Sequence, residues 1–216
     1  MNPRTPTGIW PFFGLTVATP RLTLVYPTDE LIAELVAVAD GGIHDPGQSP
    51  FASEWSLETP EKRAISMFQF HWRSRSTLSA SEWQLPLIVI VDGVVVGTQD
   101  AFARRFPDTR TATTGSWLGK SHQGQGIGTE MRRAMLHLLF AGLRAEVAQT
   151  EAFESNRASQ RVTEKLGYQP NGEGREVRGD GVVDRSLRYR FARADWVEPT
   201  DITIDGLEPC LPLLGL

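Results

Sequence analysis

Gln123-Gly124-Gln125-Gly126-Ile127-Gly128 sets three glycines at alternate positions. Residues 109–118 before it alternate apolar and polar side chains and read as a strand. After it, Met131, Met135, Leu138 and Leu139 recur as one face of a helix. The order is therefore strand, glycine turn, helix. A backbone stripped of side chains lets a diphosphate come close, and the orphan N–H groups and partial positive charge at a helix start favour an anion there. The same residues would also serve as a plain surface turn. They lack the Lys-Ser or Lys-Thr ending of a Walker loop, and the sheet leading into them begins with a hairpin rather than a βαβ unit. Both points disfavour a nucleoside triphosphatase or a dinucleotide enzyme.

Working outward, residues 85–91 and 94–101 are β-branched runs joined by Asp92-Gly93, a pair suited to a tight hairpin turn. Upstream, residues 15–19 and 21–26 read as two short strands broken at Pro20. Pro27-Thr28-Asp29 caps a helix carried by Leu31, Ile32, Leu35, Val36 and Val38. Residues 42–60 form a long loop of a length often tied to function, and Thr59-Pro60-Glu61 opens a second helix through Ile65, Phe68, Phe70 and Trp72. Downstream, residues 146–153 predict a strand and 156–166 a short helix stopped by Gly167. Val177 and residues 182–191 predict a closing hairpin around Gly179-Asp180-Gly181. Residues 194–216 are proline-rich with an apolar end, suited to docking on the domain or on a partner subunit.

The chain has 216 residues, 22% charged and 40% apolar, which predicts one folded domain over 1–216 with its core at about 15–193. A net charge of −4 gives no field to hold a nucleic acid backbone. No apolar run approaches the ~20 residues that span a bilayer, and nothing at the start resembles a signal peptide. The single cysteine, Cys210, excludes an intrachain disulfide and any cysteine-based zinc site; no metal is expected, and a reducing cytoplasm fits best.

Three segments resemble the GCN5-related N-acetyltransferases, GNAT for short, in the branch of ribosomal-protein N-terminal acetyltransferases. They are Gly115-Ser116-Trp117-Leu118-Gly119 with the 123–128 loop, Glu154-Ser155-Asn156-Arg157-Ala158-Ser159, and Glu164-Lys165-Leu166-Gly167-Tyr168. The resemblance is close over 115–168 and looser at Asp184-Arg185-Ser186-Leu187. It implies an α/β GNAT fold: a mixed, mainly antiparallel, splayed sheet of about seven strands flanked by about four helices. It implies acetyl-CoA as co-substrate, with Gln123, Gly124, Gln125, Gly126, Ile127, Gly128 and Thr129 at the pyrophosphate. Trp117, Leu118 and Gly119 would pair with the pantetheine amides, and Asn156 and Ser159 would meet the pantetheine arm. Family habit and the apolar tail suggest a homodimer or higher homo-oligomer.

Many family members carry a tyrosine acid seven residues after the asparagine; here that position is Thr163. Ser159 is then the first candidate to assist the departing thiolate. Asn156 fits a second role as the cap of its own helix, and Ser159 a second role in bonding back to the helix backbone. An uncharged amine nucleophile needs a base. Glu54 heads the candidates, with His44, Asp45, His71, Asp100 and Glu151 behind it, and for each a structural role is the competing reading. Backbone N–H groups of the strand before the loop would polarise the thioester carbonyl. Trp55, Trp72, Trp83 and Trp117 suit an acceptor pocket or simply the core. The expected reaction is direct acetyl transfer to a primary amine in a ternary complex. The acceptor is a protein N-terminus, an amino acid, a polyamine or an aminoglycoside. Succinyl-CoA as donor is an alternative on the same fold, and a non-catalytic acyl-CoA sensor is an alternative of another class.

Overall fold

A computed structural model describes residues 5–47 and 49–216; residues 1–4, and Gln48 within the 42–60 loop, lie outside the described residues. The elements run α1 (Pro6–Ile9), β1 (Thr16–Ala18), β2 (Leu22–Val25), α2 (Asp29–Asp40), α3 (Pro60–Ser76), β3 (Glu82–Val91), β4 (Val94–Arg104) and α4 (Phe106–Thr109). They continue with β5 (Thr111–Leu118), α5 (Ile127–His137), β6 (Val147–Phe153), α6 (Arg157–Lys165), β7 (Gln169–Val177), β8 (Val183–Ala192) and β9 (Thr203–Asp205).

Local chemistry accounts for most boundaries. Thr28 and Thr59 cap α2 and α3 by accepting from the N–H groups of Leu31 and Lys62, and Pro60 sits in the first turn of α3. The β3–β4 turn places Asp92 and Gly93 at φ of 50° and 79°, the left-handed pair that a two-residue hairpin requires. The strand expected from Thr109 begins at Thr111 instead, because Phe106–Thr109 close a single helical turn between two left-handed arginines, Arg105 and Arg110.

One sheet takes the order β7-β8-β6-β5-β4-β3-β2-β1-β9. Every pairing is antiparallel except β5 with β6, whose crossover is made through α5. That parallel pairing ends at Thr114↔Thr150, whereas β4 stays paired to β5 as far as Gly97↔Leu118. The sheet therefore parts between β5 and β6 while β5 is still held from its other side. One face packs on α5 through Leu118, Met131 and Met135; the other packs on α2 and α3 through Leu35, Met67 and Ile88.

The sheet has nine strands rather than about seven. The count rises because the first arm of the closing hairpin, expected only at Val177, runs from Gln169 as a full edge strand, and because a three-residue fragment in the tail joins the sheet. β7 carries Pro170, Gly172 and Gly174 and is exposed along nearly its whole length, tolerable only because it is an edge with a register shift between Pro170 and Glu173. β9, three residues long, pairs with β1 and brings the tail onto its own chain, where Cys210 and Leu214 are wholly buried. Burial pushes the Cys210 thiol up to about 12, so it stays an inert apolar filler. Among the described residues no helix is long and apolar enough to cross a membrane.

Candidate active site

The glycine turn enters α5 with Gly124 at φ 73° and Gly126 at φ 82°, and no side chain caps the helix start. An 11-residue helix with a bare N-terminus leaves orphan N–H groups for an anion. The glutamine side chains turn away from that task. Gln123 Nε2 donates to the carbonyls of Ile43 (2.7 Å) and Leu118 (2.9 Å), and Gln125 Nε2 to that of Ser121 (2.8 Å), so both brace the loop. Behind it, Arg21 pairs with Glu130 at 2.5 Å and reaches the Gln125 carbonyl. Ile127 is turned into the core, leaving only its backbone for a ligand.

From this cradle a cleft of about 1060 Å³ runs into the gap between β5 and β6. Gly124, Gly126, Gly128 and Thr129 line its mouth, and Trp117 and Leu118 its strand wall. Beyond Thr114 the β5 edge facing β6 has no strand partner, so its backbone groups, apart from the Leu118 carbonyl that Gln123 occupies, are open to a ligand. Gly119 is spent on packing, since a Cβ there would come within 2.6 Å of Val38. On α6, Asn156 and Ser159 both line the cleft. The Asn156 carboxamide oxygen accepts from the Ser159 N–H at 3.1 Å, so its capping role is realised, and the Ser159 hydroxyl has no hydrogen-bond partner among the described residues. Arg157, Arg161 and Lys165 continue along the same side of α6 at intervals of one turn and also line the cleft.

Of the proposed bases, Asp100 lines the cleft at its β4–β5 wall. It stands in register with Gly115 across β4 and β5, and Gln84 Nε2 donates to it at 2.8 Å. Burial raises its pKa, opposed by hydrogen bonds from Gln84 and the Gly115 N–H and by the charge of Arg132. Glu151 lines the same chamber, near the Ser186 hydroxyl at 3.4 Å. His71 lines it too; burial, then the charge of Arg75, lowers its pKa to about 4, so the ring is neutral at pH 7. Glu54 is exposed and does not line the cleft, although its neighbours Ser53 and Trp55 do.

The 42–60 loop roofs the chamber and is tied on both sides. Lys120 pairs with Asp45 at 2.5 Å and donates its N–H to the Gly42 carbonyl, while Gly179, in the β7–β8 turn, donates its N–H to the Phe51 carbonyl at 2.8 Å. Phe51, Trp55 and Trp117 pack in succession as tilted pairs with ring centroids 5.1 and 5.5 Å apart.

Arg132 escaped the sequence reading. It is only 4% exposed, yet it lines the cleft. Nη1 donates to the hydroxyls of Thr163 (3.0 Å) and Thr150 (3.4 Å), and Nη2 to that of Ser116 (3.1 Å). The available signal was its place on α5, where Gly128 lies one turn before it and buried Leu136 one turn after.

A sheet parted at a parallel pair, with a glycine cradle at the mouth of the gap, is the architecture of the GNAT fold. The chain belongs to the GNAT acetyltransferase family: the family model described as "Acetyltransferase (GNAT) domain" matches residues 21–169. The "Probable N-acetyltransferase YjcK" of Bacillus subtilis (strain 168) is 30% identical over 102 residues, a match that spans 47% of this chain and 56% of that protein's length. Mycobacterium smegmatis RimJ, solved in complex with CoA-disulfide, superposes with a TM-score of 0.70 at 18% identity over 92% of each chain. The ribosomal-protein-S5-alanine acetyltransferase of Vibrio fischeri gives 0.65 at 16% identity over 84% of this chain and 98% of its own. At these identities the two solved structures speak to the fold.

Proposed function

We propose that the protein transfers an acetyl group from acetyl-CoA to a primary amine by direct attack within a ternary complex. The carrying observation is the uncapped start of α5 at Gly124 and Gly126, opening onto a cleft that ends where β5 leaves β6. The diphosphate would take the orphan N–H groups of the cradle, with Arg161 and Lys165 adding positive charge from α6. The pantetheine arm would extend β5 as a strand does, and β5 N–H groups would polarise the thioester carbonyl.

Asp100, rather than Glu54, is the base this geometry supports, since it lines the cleft and burial raises its pKa above the ordinary carboxylate value, which makes it a better proton acceptor. Asp100, Glu151 and Glu176 all line the cleft, a setting for an acceptor that arrives as an ammonium ion. Arg178 also lines it, but its charge is taken by Asp180 and Asp184 at 2.8 and 3.1 Å, so this arginine offers no free charge to a succinyl carboxylate. Ser159, which lines the cleft with no partner for its hydroxyl among the described residues, is the candidate to assist the departing thiolate.

Calorimetric titration with acetyl-CoA, succinyl-CoA and free coenzyme A, followed by an amine panel of N-terminal peptides, amino acids, polyamines and aminoglycosides, tests this reading. Binding of acetyl-CoA with turnover of at least one amine is expected. A clear preference for succinyl-CoA would move the reading to succinyl transfer, binding without turnover to a sensor, and no binding would overturn it.

A further inference from the structure

A cation that is 4% exposed and meets only neutral hydroxyls is costly. A buried charge is ordinarily held by an opposite charge, and an uncompensated one costs several kcal/mol. Among the described residues no carboxylate lies within ion-pair distance of Arg132; the buried Tyr168 phenol and then Asp100 act on it only at longer range. Arginine does not escape by losing its proton.

Its position is equally specific. Nη1 reaches Thr150 on β6 and Nη2 reaches Ser116 on β5, so the guanidinium bridges the two strands where their pairing stops, at Thr114↔Thr150. Neighbouring strand residues face opposite ways, so Ser116 and Arg132 lie on the α5 face and Gly115 and Asp100 on the other. Thr163 fixes the geometry: its hydroxyl donates to the Ser159 carbonyl at 2.9 Å, which turns its lone pairs to Arg132. Nε of Arg132 is buried without a partner.

Resting on the acyl-transfer reading above, we propose that Arg132 is a catalytic residue that receives the coenzyme A thiolate, standing in for a general acid. The acceptor ammonium gives one proton to Asp100, and its nitrogen attacks the thioester carbon. As the adduct collapses, the C–N bond is kept and the C–S pair stays on sulfur, while the second nitrogen proton passes to solvent. The thiolate rests against the guanidinium until it is protonated on release. Acetyl-CoA and neutral coenzyme A gain nothing from this charge, so the stabilisation is confined to the breaking bond.

The direct test is the thiol pKa of coenzyme A bound to the full-length protein, followed by thiolate absorbance in the ultraviolet. In the wild type it should fall at least about one unit below its value in solution, a tenfold gain in thiolate. Arg132→Met, similar in volume and apolar, should bind acetyl-CoA within about threefold, return the thiol to its solution value and lose roughly 100-fold in kcat. Arg132→Lys should recover part of both. If Arg132→Met fails to fold, the wild-type titration alone decides. An unshifted thiol with coenzyme A bound overturns this proposal and leaves acyl transfer standing; no coenzyme A binding ends both. A wild-type preference for succinyl-CoA that Arg132→Met loses would assign the charge to an acyl carboxylate and overturn the thiolate role.

Discussion

Asp100 and Gly115 face each other in register across β4 and β5, so closely that a Cβ at position 115 would lie 2.6 Å from Asp100 Oδ1. The missing side chain makes room for the carboxylate at the wall of the cleft. Gly115→Ala should therefore displace Asp100, and a shift of about 1 Å in a reacting group is enough to cost ~100-fold in kcat. Acetyl-CoA affinity should change little, because the cradle lies beyond Leu118. Steady-state kinetics beside calorimetry would check this, and a variant with unaltered kcat would remove Asp100 from the mechanism.

The cradle makes a second prediction. Gly126 sits at φ 82°, where a side chain is strained, and its Cβ would also press on Arg21 at 3.3 Å. Gly126→Glu adds a negative charge where a diphosphate is expected and should reduce acetyl-CoA affinity about 100-fold or more. Asn156→Ala should do less, costing roughly 1 kcal/mol of stability through the lost cap and only a few-fold in affinity. Normal affinity in a folded Gly126→Glu variant would dissociate the loop from the cofactor.

Arg161 and Lys165 are exposed on α6 and line the cleft, so their contribution to a phosphate-rich ligand should be real but screened. Each alanine substitution should weaken acetyl-CoA binding about three- to fivefold at low salt, converging on the wild type near ~1 M salt. Titration across a salt series separates this from a structural effect, which salt would not erase.

The cradle is legible in the sequence because its signal is local: alternate glycines follow a strand and precede a helix. The β3–β4 hairpin is legible for the same reason, through Asp92-Gly93. What escapes is whatever depends on distant partners. Arg132 gives no sign from its own helix that Ser116, Thr150 and Thr163 will surround it. Glu54 belongs to a loop whose path is set by ties to Lys120 and Gly179, and those ties leave its side chain outside the cleft. β7 reads poorly because an edge strand is excused from the alternation that burial imposes, and β9 because three residues carry no period at all.

His71 supplies a pH-dependent consequence of building the cleft from buried groups. The ring is 3% exposed on α3 with Nδ1 unpartnered, and burial, reinforced by Arg75, holds its pKa near 4 against 6.5 for an ordinary histidine. Between those values the unfolded chain binds a proton that the folded chain refuses, so stability is full above pH 6.5 and falls as the pH drops towards 4. The loss attributable to this residue is up to about 3 kcal/mol. Carboxylates titrate in the lower part of the same window, so the comparison must be with His71→Gln, which keeps a neutral polar side chain and has no proton to gain. Urea midpoints measured in steps from pH 7.5 to 4.5 should show the wild type losing stability faster than the variant as the pH falls. Parallel curves would mean that His71 takes up its proton in the folded state as readily as in the unfolded one, and that the chamber around it is wetter than its burial implies.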